Sequence, residues 1–254
     1  IRDRRFSAQL GFTIEPDTFK AIEKLNRNID KVSMERVCVE LKKTLLSDNP
    51  DYCSLYATTG LFNNILPVIA DNLTGRYAKK LLLTCKYTDN ELPLRLAAIL
   101  FVCSPDEART ALRNLRMDNK TIDTVVKILT YTPLHIDETE PAVREALHQC
   151  GRDIFMLVIR LQRASIKASE EITFISNPAK YNHLNKLQSM ADDILERGDC
   201  FTIKALDISG NDLIEYGLQG HEIGETLKSL LDIVIENPKL NDKATLIAMI
   251  EHIK

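Results

Sequence analysis

The feature that most constrains this chain is the recurrence of helix-opening signals followed by apolar residues spaced for one helical face. Ser33 precedes a segment in which Met34, Val37, Cys38, Leu41 and Leu45 fall at offsets 0, 3, 4, 7 and 11, one stripe of a 3.6-residue helix. Ser104-Pro105-Asp106-Glu107 combines a capping box with a proline in the first turn and predicts a helix reaching Asn114. Asp118 can cap a helix to Tyr131, Thr139 and Pro141 open one to Cys150, and Asn177-Pro178 starts one that ends at Arg197 before Gly198. Ser209-Gly210-Asn211-Asp212 is a second capping box, Gly217 to Gly220 reads as a turn, and Asn241 is expected to cap the last helix. No hairpin signal or sustained alternation competes with these patterns, and nine Gly, nine Pro and no Trp suit helices better than a β-sandwich. The fold class expected is all-α, a multi-helix array.

At 254 residues and 44% hydrophobic, the chain can bury one large or two smaller cores. Its formal net charge of −3 excludes a uniformly basic nucleic-acid coat but permits local basic faces. Six well-separated cysteines without a C-x-x-C pair read as reduced core thiols, not as a zinc site or disulfide framework. The longest apolar run, Leu96 to Cys103, is too short to span a bilayer, and no signal sequence opens the chain, so a cytoplasmic protein without membrane partners is expected. The first residues, Ile1-Arg2-Asp3-Arg4-Arg5-Phe6, lack an initiator Met and a cap, as though cut inside a helix; the chain is expected to be a fragment.

Phosphoryl transfer needs metal-holding carboxylates and a phosphate cradle, and the sequence has no Gly-Gly pair, no G-x-x-x-x-G-K-[ST] and no D-x-D. Its five histidines sit on separate predicted elements, so neither catalytic residues nor metal ligands are assigned.

The stretch Ile1 to Pro16, with Arg2, Arg5, Phe6, Leu10, Gly11, Phe12, Ile14 and Pro16, resembles the R-x-x-R-F-x-x-x-L-G-F-x-I-x-P signature of bacterial tRNA nucleotidyltransferases and poly(A) polymerases. Val32-Ser33-Met34-Glu35-Arg36 with Glu40 is similar to that family's neck motif, and Ile208 to Ile214 with Gly217, Gly220 and Glu222-Ile223-Gly224 is similar to its tail signature. The resemblance spans almost the whole chain and implies neck, body and tail regions at 1–47, 48–173 and 174–254, without the catalytic α/β head. It implies a parent enzyme that uses Mg and ATP/CTP, held by the missing head, with no cofactor in this chain. The implied partner is tRNA, met at its acceptor and T arms. Many family members carry an H-D metal motif where this sequence has Phe101-Val102, a departure that counts against phosphohydrolase activity.

The resemblance assigns Arg2 and Arg5 to nucleotide binding, and two guanidiniums one helical turn apart can grip a polyphosphate; the alternative is a solvated helix face. Glu35, Arg36 and Glu40 are read as a neck brace, with Arg36 and Glu40 paired at i and i+4. For RNA, the candidates are Arg152, Arg160, Arg163 and Lys167, which fall within an arc of roughly eighty degrees on a helix advancing about a hundred degrees per residue. Such a stripe can track a phosphate backbone, although Asp153, Glu170 and Glu171 border it. The turn Gly217 to Gly220 could offer backbone amides to a phosphate, within a segment of net charge −5 over residues 205–254. The nearest rival is a poly(A) polymerase region, and a rival of another class is a helical interaction module that binds no RNA.

Overall fold

The structure, a computed structural model, describes residues 2–11, 14–70 and 77–253. Every regular element among them is helical: α1 Arg2–Leu10, α2 Pro16–Lys24, α3 Met34–Leu45, α4 Ser54–Thr58, α5 Phe62–Ile65, α6 Pro67–Ala70, α7 Ala78–Tyr87, α8 Leu92–Ile99, α9 Pro105–Asn114, α10 Asn119–Tyr131, α11 Glu140–Cys150, α12 Arg152–Thr173, α13 Pro178–Arg197, α14 Gly210–Glu215, α15 His221–Glu236 and α16 Lys243–Ile253. None of them is long and apolar enough to cross a membrane.

The strongest start signals work as their chemistry predicts. Ser104 accepts from the Glu107 amide while the Glu107 carboxylate takes the Ser104 amide, closing the box at the start of α9. Ser209 and Asp212 do the same for α14, and Asp118 accepts from the Thr121 amide at the start of α10. Each bond satisfies an amide that has no partner inside its helix. Two caps differ from expectation. Ser33 precedes α3 but makes no side-chain capping bond. At α16 the cap is Asp242, which accepts from the Thr245 amide at 3.0 Å, while Asn241 bonds Asp207 N and Ala205 O instead. An amide side chain can both donate and accept, and two backbone groups of residues 205–207 claim it.

The chain forms two compact units that interleave along the sequence, Ile1–Leu134 with Asp153–Tyr181, and His135–Arg152 with Asn182–Lys254. Helix α11, which falls inside the 48–173 segment of the sequence reading, belongs to the second unit. Its tie there is Arg144, whose side chain reaches the Ile235 and Glu236 carbonyls, a contact about ninety residues away that no local pattern announces.

In the first unit, the α3 stripe of Val37, Cys38, Leu41 and Leu45 packs against a buried run from Leu94 to Leu100, in a core that also takes residues of α9 and α10. The C-terminus of α3 is closed by Arg95, a buried residue whose Nη1 donates to Leu45 O and, at 2.8 Å, to Ser47 O. A guanidinium supplies several donors to carbonyls that the helix leaves unpaired. In the second unit a smaller core, built on Leu206, Leu213, Leu230, Val234 and Leu246, is joined to α11 and α13 through charged side chains. All six cysteines are free; five are buried and Cys150 half-buried.

Candidate nucleic-acid interface

Helix α12 presents an apolar face, Ile154, Phe155, Val158, Ile159, Leu161, Ala164 and Ala168, that is buried. The opposite side carries the cations expected to meet RNA, and the structure treats them unequally. Arg152 opens the helix, is exposed, and belongs to the second unit. Arg160 is half-buried, with Nε donating to Asp89 at 2.6 Å and Nη2 to Glu91 at 2.6 Å. Burial opposes its charge, but the bonds to Glu91 and Asp89 outweigh this and push its pKa up. Arg160 therefore clamps the segment that leads into α8, and its charge is neutralised inside the unit. Arg163 is half-buried, and Lys167 is exposed with its ammonium 4.2 Å from the centre of the Tyr87 ring.

Past the last cation the helix ends in a defined turn. Phe174 N still donates to Glu170 O at 2.7 Å, as a helical residue would, but Phe174 itself has φ +57°. For an aromatic L-residue this left-handed conformation costs about 1–2 kcal/mol. The Glu170 carboxylate holds the turn, accepting from Asn177 N at 2.6 Å, Ser176 Oγ at 3.4 Å and the Tyr181 hydroxyl at 3.3 Å. Burial and the adjacent Glu170 charge raise the Tyr181 pKa. Glu171 accepts from the Tyr87 hydroxyl. The turn leaves Phe174 91% and Ile175 70% exposed. Sequence reasoning did not single out these two residues, because an apolar side chain carries no mark of whether the fold will cover it.

At the N-terminus Glu40 makes its ion pair with a residue other than the one expected. Arg36 is exposed, and Glu40 pairs instead with Arg5 at 3.2 Å, each side chain only 14% exposed. Glu40 faces α1 and is half-buried where Arg36 is exposed, and burial favours the pair that holds two helices together over the pair along one helix. Asn49 adds a second tie by donating to Ala8 O at 2.9 Å. Glu35 lies 3.9 Å from Arg116, with both side chains exposed, a geometry that contributes little. The side chain of Arg2 lies outside the described residues.

One other feature does not suit phosphate. A cleft of about 460 Å³ in the first unit is lined by Met34, Ile65, Val68, Asp106, Glu107 and Thr110, among others, with carboxylates but no cation on its wall. The Gly217 to Gly220 turn is present as a connection from α14 to α15, with φ of +105° at Gly217 and +55° at Gly220. Phe101 and Val102 lie in the turn after α8. Among the described residues no three His, Cys, Asp or Glu side chains are grouped to hold a metal ion, so the magnesium of a nucleotidyltransferase finds no fit in them.

Comparison with known proteins agrees with this architecture. The family described as "tRNA nucleotidyltransferase domain 2 putative" matches residues 94–250, and "Probable RNA and SrmB-binding site of polymerase A" matches residues 11–73. A CCA-adding enzyme of Pediococcus pentosaceus is 26% identical over 97% of this chain and 58% of its own length, and one of Latilactobacillus sakei is 28% identical over 91% and 54%. A crystal structure of the Bacillus stearothermophilus CCA-adding enzyme in complex with CTP shares the fold, with a TM-score of 0.69 and 23% identity over 98% of this chain and 59% of that one. The chain thus spans little more than half the length of the relatives it matches. With one family model covering more than half of its residues and a second covering most of the neck, this chain belongs to the tRNA nucleotidyltransferase family.

Proposed function

We propose that this chain is the RNA-positioning part of a CCA-adding tRNA nucleotidyltransferase, whose whole enzyme transfers CMP and AMP from CTP and ATP to the tRNA 3′ end. The observation that carries the reading is that proteins named CCA-adding enzyme match it from end to end. Magnesium and nucleotide chemistry belong to the head, whose motifs this sequence lacks, and no step is assigned to residues here. The chain's own contribution is geometric: A-form duplex is recognised by shape and backbone contact, which suits a rigid helical body bearing a few cations. Arg163 and Lys167 are the phosphate-tracking candidates, with Arg152 at the start of the same helix; Arg160 supports them by holding the segment before α8. Arg2 and Arg5 are assigned to the nucleotide end of the neck on the resemblance, and Glu40 orients their helix by gripping Arg5. The acceptor and T arms of tRNA are the proposed contact surface.

The test is binding of a tRNA acceptor–T-arm minihelix across a salt series. The expected result is measurable affinity at low salt, with a log–log slope that becomes shallower by about 1–2 in Arg163→Ala/Lys167→Ala. Absence of binding at low salt would leave a helical interaction module as the better account. One observation favours a second reading, the family description that names polymerase A. Equal binding of an unstructured RNA 3′ end and the minihelix would favour a poly(A) polymerase.

A further inference from the structure

We propose that Phe174 is a stacking platform for an unpaired nucleobase, placed where the basic face of α12 ends. The proposal rests on the RNA-binding reading above and adds a contact of a different chemical kind. Three observations support it. The first is placement: because Phe174 N keeps its bond to Glu170 O, the helical rotation carries on to residue 174. At about a hundred degrees per residue, the Cα of Phe174 then lies within the arc occupied by Arg160, Arg163 and Lys167, roughly 10 Å beyond Lys167 along the axis. The second is exposure, since the ring is 91% open to solvent and its neighbour Ile175 is 70% open. The third is construction. The backbone holds a left-handed φ of +57° that disfavours an aromatic, and Glu170 secures the turn through donors at Ser176, Asn177 and Tyr181. A loose loop would relax out of that conformation.

The ligand class follows from the surroundings. Lys167 and Lys180 are exposed near the tip in sequence, while the carboxylates beside it accept hydrogen bonds, Glu170 from the turn and Glu171 from Tyr87. A flat ring near the exposed Lys167 and Lys180 suits a base whose phosphates those lysines can meet. A base inside a duplex offers no free face, so the occupant is an unpaired nucleotide.

The chain contains no Trp, so Phe174→Trp introduces a single indole at the tip, which can be excited selectively over the seven tyrosines. The full chain would be titrated with a minihelix ending in unpaired 3′ nucleotides and with a blunt duplex. Stacking predicts fluorescence quenching by the tailed RNA, and an affinity for it about 5- to 100-fold lower in Phe174→Leu, with the salt slope unchanged. The blunt duplex should bind both proteins alike. If Phe174→Leu binds the tailed RNA as the wild type does and the Trp is not quenched, the platform is refuted while RNA binding stands; a hydrophobic contact with a protein would give that result. If the wild type binds neither RNA at low salt, the underlying reading fails as well.

Discussion

Among the described residues each unit buries one arginine against the C-terminus of a helix, and the two are treated differently. Arg95, in the first unit, donates to the Leu45 and Ser47 carbonyls at and just past the end of α3, and among the described residues its Nε has no hydrogen-bond partner. Burial lowers its pKa. Arg144, in the second unit, reaches the Ile235 and Glu236 carbonyls and also bonds Glu140 and Asp199, both at 3.1 Å; Arg197 grips the same two carboxylates. Side-chain exposure is 2% for Arg144 and 8% for Asp199. The first unit surrounds its arginine with a large apolar core and needs only carbonyl dipoles to hold it. The second has a smaller core, as small units must, and joins its helices with a network of opposite charges.

The largest expected effect comes from Arg144→Met. It leaves Asp199 buried with half its partners and two helix-end carbonyls unpaired, and should cost about 3–5 kcal/mol. Amide hydrogen exchange in the full chain should show the loss at residues 230–236 and not at 94–100. Arg95→Met removes only bonds to carbonyls and puts an apolar side chain in an apolar setting, so about 1–3 kcal/mol is expected, seen at residues 41–46. An Arg95→Met cost equal to or above that of Arg144→Met would break the contrast.

The smallest effect, and the sharpest discriminator, is acid. Hydrogen bonds from Arg197, outweighing burial and joined by Arg144, hold the Asp199 pKa below its ordinary value. A carboxylate depressed in the folded state contributes stability above its unfolded pKa of about 3.9, and that stability is lost as pH falls through the lower folded value. Exchange protection at residues 230–236 should therefore weaken as pH falls below about 4 more than at residues 94–100. Asp199→Asn should abolish the difference; if it persists, the network is not its source.

Legibility in the sequence followed distance along the chain. The boxes at Ser104 and Ser209 and the cap at Asp118 each join groups three residues apart, so the pattern that names them contains the whole interaction. The α3 stripe was equally readable, since burial follows helical periodicity. The pairing of Glu40 was not readable, because its local neighbour Arg36 lost to Arg5, brought in from 35 positions away. Arg160 looked like a cation for RNA because Asp89 and Glu91, which occupy it, lie about seventy residues earlier.

The amino-acid order by itself determined that this chain is helical, where most helices begin and stop, and which family it resembles, because all three depend on short-range patterns. Tertiary structure alone decided which charges face solvent, which arginines close helix ends, and that Phe174 stands uncovered. Those outcomes depend on which groups from distant segments meet, and a charge or a ring has the same identity in sequence whether or not the fold supplies it a partner.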